Sequence, residues 1–357
     1  MRKTASDAGK SADAPVTDQK KPGRKRSAAG RIAGRVALGF AGLIAAVILY
    51  LLIAPLTETD RSPAVAGSAN WMRDIPDSAP LNELAIPGTH DSGTAYCQLA
   101  YITKCQYHPV AGQLEAGFRY LDIRLGADGE KLILMHGFTK CRTGAFFWNE
   151  TLTLDAVLED CYSFLKSHPT ETILFCVKQE HGEESVKEFQ GLLRRYLAKA
   201  PEKWLLTDKL PTLGEARGKL VLLRRYEDVA GLGKEAGISC LWDHQGGHED
   251  ITLHTVAKDN GTYTLWVQDR YEYNTEDKWA AFTSGIVSSS TKNGAAALQF
   301  LSTKGTFVQG HPYAFAKTLN KQLVSATKLP SDCGWVIVDF GTAELAKKIY
   351  SLNAFTK

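Results

Sequence analysis

The sequence predicts an α/β protein with a parallel sheet covered by helices, and three observations carry that prediction. From Trp71 to the C-terminus, short apolar runs alternate with amphipathic stretches of helical period. Proline stops the helical patterns at Pro169 and Pro201 and opens one at Pro312. Charged and imidazole side chains then follow one apolar run after another, where the strands of a parallel sheet gather their polar groups. With 357 residues, 44% apolar and 23% charged, the chain can fill one large core, and a single α/β barrel would use most of it.

Residues 1–35 stand apart from this pattern. They hold ten Lys/Arg against three Asp, a net +7, which leaves −4 for the rest of a chain whose formal charge is +3. Polar, basic and poor in aromatics, this tail is expected to be disordered. A mildly acidic remainder argues against nucleic acid as a partner, because phosphate neutralisation needs a basic face. Val36 to Leu56 then runs twenty-one residues without a charge, long enough for one transmembrane helix. Lys/Arg before the span place the N-terminus in the cytoplasm and send the body outside. A cleaved signal is the rival reading, with Ala64-Val65-Ala66 as its site, but the apolar core is longer than such segments usually are. Residues 57–70, with Pro63 and Gly67, read as a linker.

The expected strands are Leu84 to Ile86, which breaks at Pro87-Gly88, then Tyr120 to Leu125, Leu132 to Met135, Thr172 to Val177, Leu220 to Leu223, Tyr263 to Val267 and Trp335 to Val338. Helices are expected around Leu154–Leu165, Val186–Leu197, Phe315–Leu323 and Leu345–Leu352, where apolar residues recur at i, i+3 and i+4. No internal repeat is visible. Seven cysteines lie in a body expected outside the cytoplasm, where disulfides persist. Cys97 with Cys105 and Cys141 with Cys161 are candidate pairs, Cys176 is a core residue, and spacing alone does not fix connectivity.

The polar residues after these runs carry the chemistry. His90 and Asp91 follow the first; Asp122 and Arg124 lie in the second; His136 ends the third. Lys178 and Glu180 follow the fourth, Arg225 the fifth, Asp269 and Tyr271 the sixth, and Asp339 the last. Each alone is an ordinary turn or surface residue. Converging on one mouth, they supply two proton-transfer groups, carboxylates to orient them and cations to hold an anion, a set suited to a phosphodiester with a neighbouring hydroxyl.

The series IPGTHDSGT, RYLDIRL, MHG, ETILFCVK, GKLVLLRRY, WVQDRYE and GWVIVDF resembles, in order and spacing, the bacterial phosphatidylinositol-specific phospholipase C family with its X-type catalytic barrel. The similarity covers residues 71–357. It implies an irregular, incompletely closed (β/α) TIM-type barrel, here preceded by one N-terminal transmembrane helix. By position, it implies His90 as the base for the inositol 2-hydroxyl, held by Asp339, and His136 as the acid for the diacylglycerol oxygen, assisted by Asp91. Arg124 would bind the phosphate with Asp122 in support, while Lys178, Arg225, Asp269 and Tyr271 match positions that contact the inositol ring. On this reading adjacent His90 and Asp91 serve different partners.

Calcium-dependent relatives place acidic residues where Arg124 and Lys178 stand. Two cations would repel a divalent ion, so no calcium requirement is expected. Between Gly231 and Gly261 the match weakens. Asp243, His244, His248, Asp250 and His254 there read as a solvated loop rather than a metal site, since Gly246-Gly247 spoils helical pairing. Phe146-Phe147-Trp148 is expected to be buried beneath the barrel helices, with an interfacial wedge as the rival. Two other functions compete with the lyase: a catalytically silent inositol-lipid or glycolipid-anchor binder, and a glycerophosphodiester phosphodiesterase needing acidic metal ligands.

Overall fold

The computed structural model describes residues 27–53, 58–146, 148–180, 182–242, 244–246, 252–258, 261–289, 295–304, 311–329 and 333–353. The chain divides into two units, Met1–Ile48 and Leu49–Lys357. In the first, helix α1 (Ala28–Ile53) begins well before the uncharged span and takes in Arg31 and Arg35. Ala28, Ala29 and Ala33 favour helix there, and arginine side chains reach past an apolar stretch to water. The helix is long and apolar enough to cross a membrane, a property shared with signal sequences. The basic residues before Arg31 and the end of the apolar span lie outside the described residues.

The second unit is organised by a curled, mostly parallel sheet. Its elements, in order, are β1 (Ile86–Thr89), α2 (Ala100–Thr103), α3 (Val110–Glu115), β2 (Tyr120–Asp128), β3 (Lys131–His136), β4 (Thr139–Lys140), α4 (Leu154–Ser167) and β5 (Ile173–Gln179). There follow α5 (Val186–Lys199), β6 (Trp204–Leu205), α6 (Leu213–Ala216), β7 (Leu220–Arg225), β8 (Ile238–Ser239), β9 (Thr252–Lys258) and β10 (Gly261–Gln268). The chain continues through α7 (Thr275–Ser289), β11 (Ala295–Phe300), α8 (Pro312–Ser325), β12 (Trp335–Val338) and α9 (Ala343–Tyr350). The strand order is β6-β7-β5-β2-β1-β12-β11-β10-β9, with β8 also on β7. Among the described residues no ladder joins β8 to β9 or β10, so the barrel is open there.

Alternate residues of each strand point inward and pack one apolar interior. Ile86, Tyr120, Leu174, Cys176, Val221, Leu223, Leu265, Val267, Trp335 and Ile337 all belong to it. Two outer cores bury the opposite faces. One lies under α3, α4 and α5, the other under α7, α8 and α9. The long helices start where the side chains dictate: Thr153 accepts from Ala156 N–H at α4, and Ser185 with Glu188 forms a capping box at α5.

Several expectations are corrected. The first strand does not break at Pro87-Gly88 but runs through both. Pairing of β1 with β2 begins only at Gly88, so the missing N–H of Pro87 costs no ladder bond there. A side chain at Gly88 would meet Ile337 Cδ1 at 2.4 Å and Tyr120 Cβ at 2.7 Å, so glycine is what lets the three strands close up. Residues 58–70 are no free linker. Asp60 pairs with His108 at 3.0 Å, Lys104 Nζ donates to the Glu58 carbonyl, and the Ser68 and Ala69 carbonyls accept from buried Arg119. That guanidinium, itself paired with Glu171 at 3.0 Å and wholly buried, recruits the segment because every remaining N–H needs an acceptor. The stretch expected as a loop between Gly231 and Gly261 carries β8 and β9, and His254 falls in β9; Asp243, His248 and Asp250 lie outside the described residues. Neither candidate cysteine pair is bonded, and all seven cysteines are buried.

Candidate active site

The inward face of each strand changes character at its C-terminal end. Tyr120 leads to Asp122 and Arg124, Cys176 to Lys178, Leu223 to Arg225, Val267 to Asp269, Gly88 to His90, and Ile337 to Asp339. Arg124 pairs in register with Lys178, and Lys178 with Arg225, so three cations stand on one rung across β2, β5 and β7. His136 arrives differently. β3 is antiparallel to β2, and the two-residue turn Gly129-Glu130 with Gly129 at φ 63° returns the chain to the mouth. The expectation that this strand end belongs to the parallel set is therefore corrected.

Eight of the ten residues singled out by sequence line one cleft of about 500 Å³: His90, Arg124, His136, Lys178, Arg225, Asp269, Tyr271 and Asp339. Asp91 and Asp122 lie buried beneath them. The two imidazoles, His90 and His136, have ring centroids 6.3 Å apart. Arg124 Nη2 donates to His90 Nε2 at 2.7 Å, and His90 Nδ1 lies 2.8 Å from Asp339 Oδ1. A guanidinium only donates, so His90 Nε2 is an acceptor and its proton sits on Nδ1. His136 likewise carries a proton on Nδ1, donated to the Thr103 carbonyl at 2.8 Å, so any proton it can deliver is on Nε2.

Burial, and then the charge of Arg124, push the His90 imidazolium well below the usual histidine range, which keeps the ring neutral. Arg124 also binds Asp122 through Nε and Nη2, each at 3.0 Å. Burial alone would raise Asp122, but Arg124, His90 and Arg225 outweigh it and hold this carboxyl well below its ordinary value. Asp91 receives what is left. Its Oδ2 lies 3.0 Å from Arg124 Nη1 but outside hydrogen-bond alignment, and burial raises the group to about 6 against the pull of Arg124 and His136. The same oxygen is 3.4 Å from His136 Nε2 and 3.5 Å from His90 Nε2. Asp91 thus stands between both histidines rather than serving His136 alone.

This split sets a pH dependence. Of Asp91 and His90, Asp91 is the first to take up a proton on acidification, so kcat/KM is expected to fall as pH drops through about 6. Asp91→Asn should abolish that limb and lower turnover about 100-fold. Because the folded pKa is raised from 3.8, the stability linked to this proton is full below pH 3.8 and lost as pH rises through about 6. Asp91→Asn should therefore melt higher than the parent at pH 8, by an upper limit of about 3 kcal/mol, with the gap closing near pH 4. An unchanged acidic limb in the variant would refute the assignment.

The wall opposite the histidines holds the remaining polar groups. Arg225 stacks 3.6 Å over Trp242 and donates to Asp269 Oδ2, which also accepts from Trp242 Nε1. Tyr271 Oη lies 2.7 Å from His244 Nε2, so His244, exposed in an irregular segment as expected, also lines the cleft. Glu180, noted in the sequence but given no role, accepts from Lys178 Nζ at 2.6 Å and from Gly137 N–H at 3.1 Å. Burial would raise it, yet Arg124 and Lys178 hold it at about 2. Lys278 carried no signal in the sequence, being one lysine in a weakly patterned helix. It is fully buried, donates to Gln268 Oε1 and the Arg270 carbonyl, and burial lowers its ammonium to about 7 against the pull of Asp269 and Asp339.

Two trios have ligand atoms within 4.8 Å of one another, His90–Cys105–Asp339 and Asp91–Cys105–His136. Burial pushes the Cys105 thiol shared by both trios well above its ordinary range. Phe146 and Trp148 correct the expectation of burial. Their rings stack at 4.6 Å and stand 59% and 65% exposed, while Phe147 lies outside the described residues.

An open α/β barrel with two imidazoles flanking a guanidinium at its mouth belongs to the class of barrel enzymes that work by acid–base chemistry on an anion. Residues 78–226 match the phosphatidylinositol-specific phospholipase C X domain. The 1-phosphatidylinositol phosphodiesterase of Staphylococcus aureus (strain Newman) is 27% identical over 285 residues, 76% of this chain and 88% of that protein. The protein of that name from Listeria monocytogenes is 32% identical over 163 residues, 43% of this chain and 47% of its own length. Among solved structures, a Staphylococcus aureus phosphatidylinositol-specific phospholipase C superposes with a TM-score of 0.67 at 23% identity, covering 82% of this chain and all of that one. Over residues 78–226 the chain thus carries a phosphatidylinositol-specific phospholipase C X domain.

Proposed function

We propose that this chain cleaves phosphatidylinositol-type lipids by intramolecular attack of the inositol 2-hydroxyl on phosphorus, releasing diacylglycerol and inositol 1,2-cyclic phosphate. The observation that carries the reading is the placement of two imidazoles at one mouth beside one guanidinium. His90 Nε2 accepts from Arg124 and is free of a proton, while His136 is held through Nδ1 by the Thr103 carbonyl and keeps Nε2 for exchange with a leaving group. With substrate bound, the phosphate takes over the Arg124 contact and the hydroxyl takes over His90 Nε2. His90 removes the hydroxyl proton, Arg124 with Lys178 holds the charge developing on phosphorus, and His136 protonates the departing diacylglycerol oxygen. Asp339 steadies the imidazolium formed on His90. Arg225, Asp269 and Tyr271 offer donors and acceptors to the hydroxyls of the inositol ring.

No calcium is needed on this proposal. Arg124 lies against Asp91 and Asp122, Lys178 against Glu180 and Arg225 against Asp269, so a divalent cation at the mouth would meet three fixed positive charges. The same cations disfavour a glycerophosphodiester phosphodiesterase, and a silent binding protein would have no use for a pair of proton-transfer groups. The deciding experiment incubates the purified full chain with phosphatidylinositol in mixed micelles and excess EDTA. Diacylglycerol and the cyclic phosphate should appear in equal amounts; activity that requires added calcium would overturn the metal-free reading, and no product under any condition would overturn the lyase.

The placement proposed for the enzyme follows from its termini. Helix α1 serves as an uncleaved anchor with the N-terminus cytoplasmic, and residues from Glu58 onward form the catalytic body outside. The exposed Phe146 and Trp148 pair then meets the lipid surface. Phe146→Ser with Trp148→Ser should lower activity on phosphatidylinositol vesicles about tenfold while a water-soluble inositol phosphodiester is cleaved at an unchanged rate. Equal losses on both substrates would remove the membrane role.

A further inference from the structure

Three of the seven cysteines, Cys97, Cys141 and Cys161, share the core beneath α3, α4 and α5, and two of them face each other across a ladder. Cys97 and Cys141 form an antiparallel bridge. Gln98 N–H donates to the Lys140 carbonyl at 3.3 Å and Arg142 N–H to the Tyr96 carbonyl at 2.8 Å, so the hydrogen bonds flank the two cysteines rather than joining them. That is the narrow kind of antiparallel pair, with Cα atoms about 4.5 Å apart and side chains on the same side of the ladder. Disulfides span Cα separations of about 4.4–6.8 Å. We propose that Cys97 and Cys141 form a disulfide in the mature protein.

The pairing differs from both that spacing suggested. Cys105 is turned toward the cleft, its sulfur 4.0 Å from His136 Nδ1, and Cys161 belongs to α4 rather than to the ladder. Cys97 Sγ at present accepts from Thr103 Oγ1 at 3.0 Å, a contact that the disulfide would replace. Thr103 loses nothing by it, since its hydroxyl also reaches the Gln98 carbonyl at 2.5 Å. Forming the bond removes two protons and two electrons from the thiols and delivers them to a disulfide oxidant, which leaves as two thiols. Outside the cytoplasm that oxidant is a dithiol–disulfide oxidoreductase.

The consequence falls on the cleft. Residues 91–106 hold both histidines from behind: the Thr103 carbonyl fixes His136 Nδ1, and Gln106 Nε2 donates to the His90 carbonyl at 2.6 Å. Cys141 lies just beyond the β3–β4 hairpin that carries His136. A covalent tie between them fixes the support to the group it supports and closes a long loop in the unfolded chain.

The proposal draws only its oxidant from the placement outside the cytoplasm, and its test is independent of phosphodiester cleavage. Purified full chain, reduced and then exposed to oxidised glutathione, is denatured, alkylated without reduction and digested. A linked peptide containing Cys97 and Cys141 is expected, with the other cysteines alkylated. Alkylation of both, or linkage of either to Cys105 or Cys161, would overturn the assignment. The oxidised protein should also melt about 5 °C or more above the reduced one, and the Cys97→Ser/Cys141→Ser variant should show no such gap. An equal gap in that variant would assign the stabilisation elsewhere. Failure of the peptide map with lipid cleavage intact removes the disulfide alone; linkage without cleavage removes the lyase alone.

Discussion

His90→Ala is expected to lower turnover about 10⁴-fold with KM changed little, because the residue supplies proton transfer and not substrate affinity. The hydroxyl to be activated is an ordinary alcohol, and no other described side chain offers an unprotonated nitrogen where His90 Nε2 lies. Truncation also leaves Asp339, already raised well above the carboxylate range chiefly by burial, without its imidazole partner. The variant should stay folded, because burial already disfavours charge on that carboxyl with or without the ring. Measured on a water-soluble inositol phosphodiester, kcat should fall while the melting temperature moves by a few degrees. His136→Ala should show a similar loss that shrinks for substrates with a good leaving group, since a weakly basic departing oxygen needs no acid. A His90 variant retaining more than a tenth of the parent activity would sink the mechanism.

The second large effect is expected for Arg124→Lys, about 10³-fold in kcat, although the charge is kept. Arg124 binds Asp122 with two nitrogens, lies 3.0 Å from Asp91 with a third contact, and donates to His90 Nε2. An ammonium on a flexible stem cannot hold those directions at once. Without the guanidinium at Nε2, His90 is free to exchange tautomers, and Asp122 loses the first of the charges that hold it low. The loss should be accompanied by a raised acidic limb in the pH profile, as more of the carboxyls protonate near neutrality. Arg124→Lys with wild-type kcat would show that charge alone suffices.

Much of this site was legible in the sequence, and for one physical reason. A barrel strand turns every second side chain inward, so Tyr120, Asp122 and Arg124, or Trp335, Ile337 and Asp339, announce a strand that is apolar through the interior and polar at its mouth. Seven such endings could be read without knowing which strands are neighbours. What escaped depended on neighbours or on weak periodicity. Strand β11, AAALQF, opens on three alanines, has no β-branched residue and carries its single aromatic, Phe300, at the very end. Lys278 gains its meaning from the closeness of Asp269 and Asp339, which no local pattern states. Phe146 and Trp148 are apolar yet exposed, because the rule that buried residues are apolar does not run in reverse. Residues 58–70 have linker composition, yet the demand of buried Arg119 for acceptors orders part of them. Cysteine pairing stayed open because it is decided by the ladder that places Cys97 against Cys141, not by separation along the chain.

The hairpin that delivers His136 also limits how this enzyme's length can drift. Leu125 pairs with Leu134 and Asp128 with Lys131, so chain added at the Gly129-Glu130 tip enters both strands at once. Two extra residues lengthen the ribbon by one rung and leave both feet where they stand. A single extra residue adds no rung; it must widen the turn or form a bulge, because a register shift of one would turn the imidazole out of the cleft. Among descendants of this sequence, insertions of two are therefore the ones that preserve both the turn and the cleft.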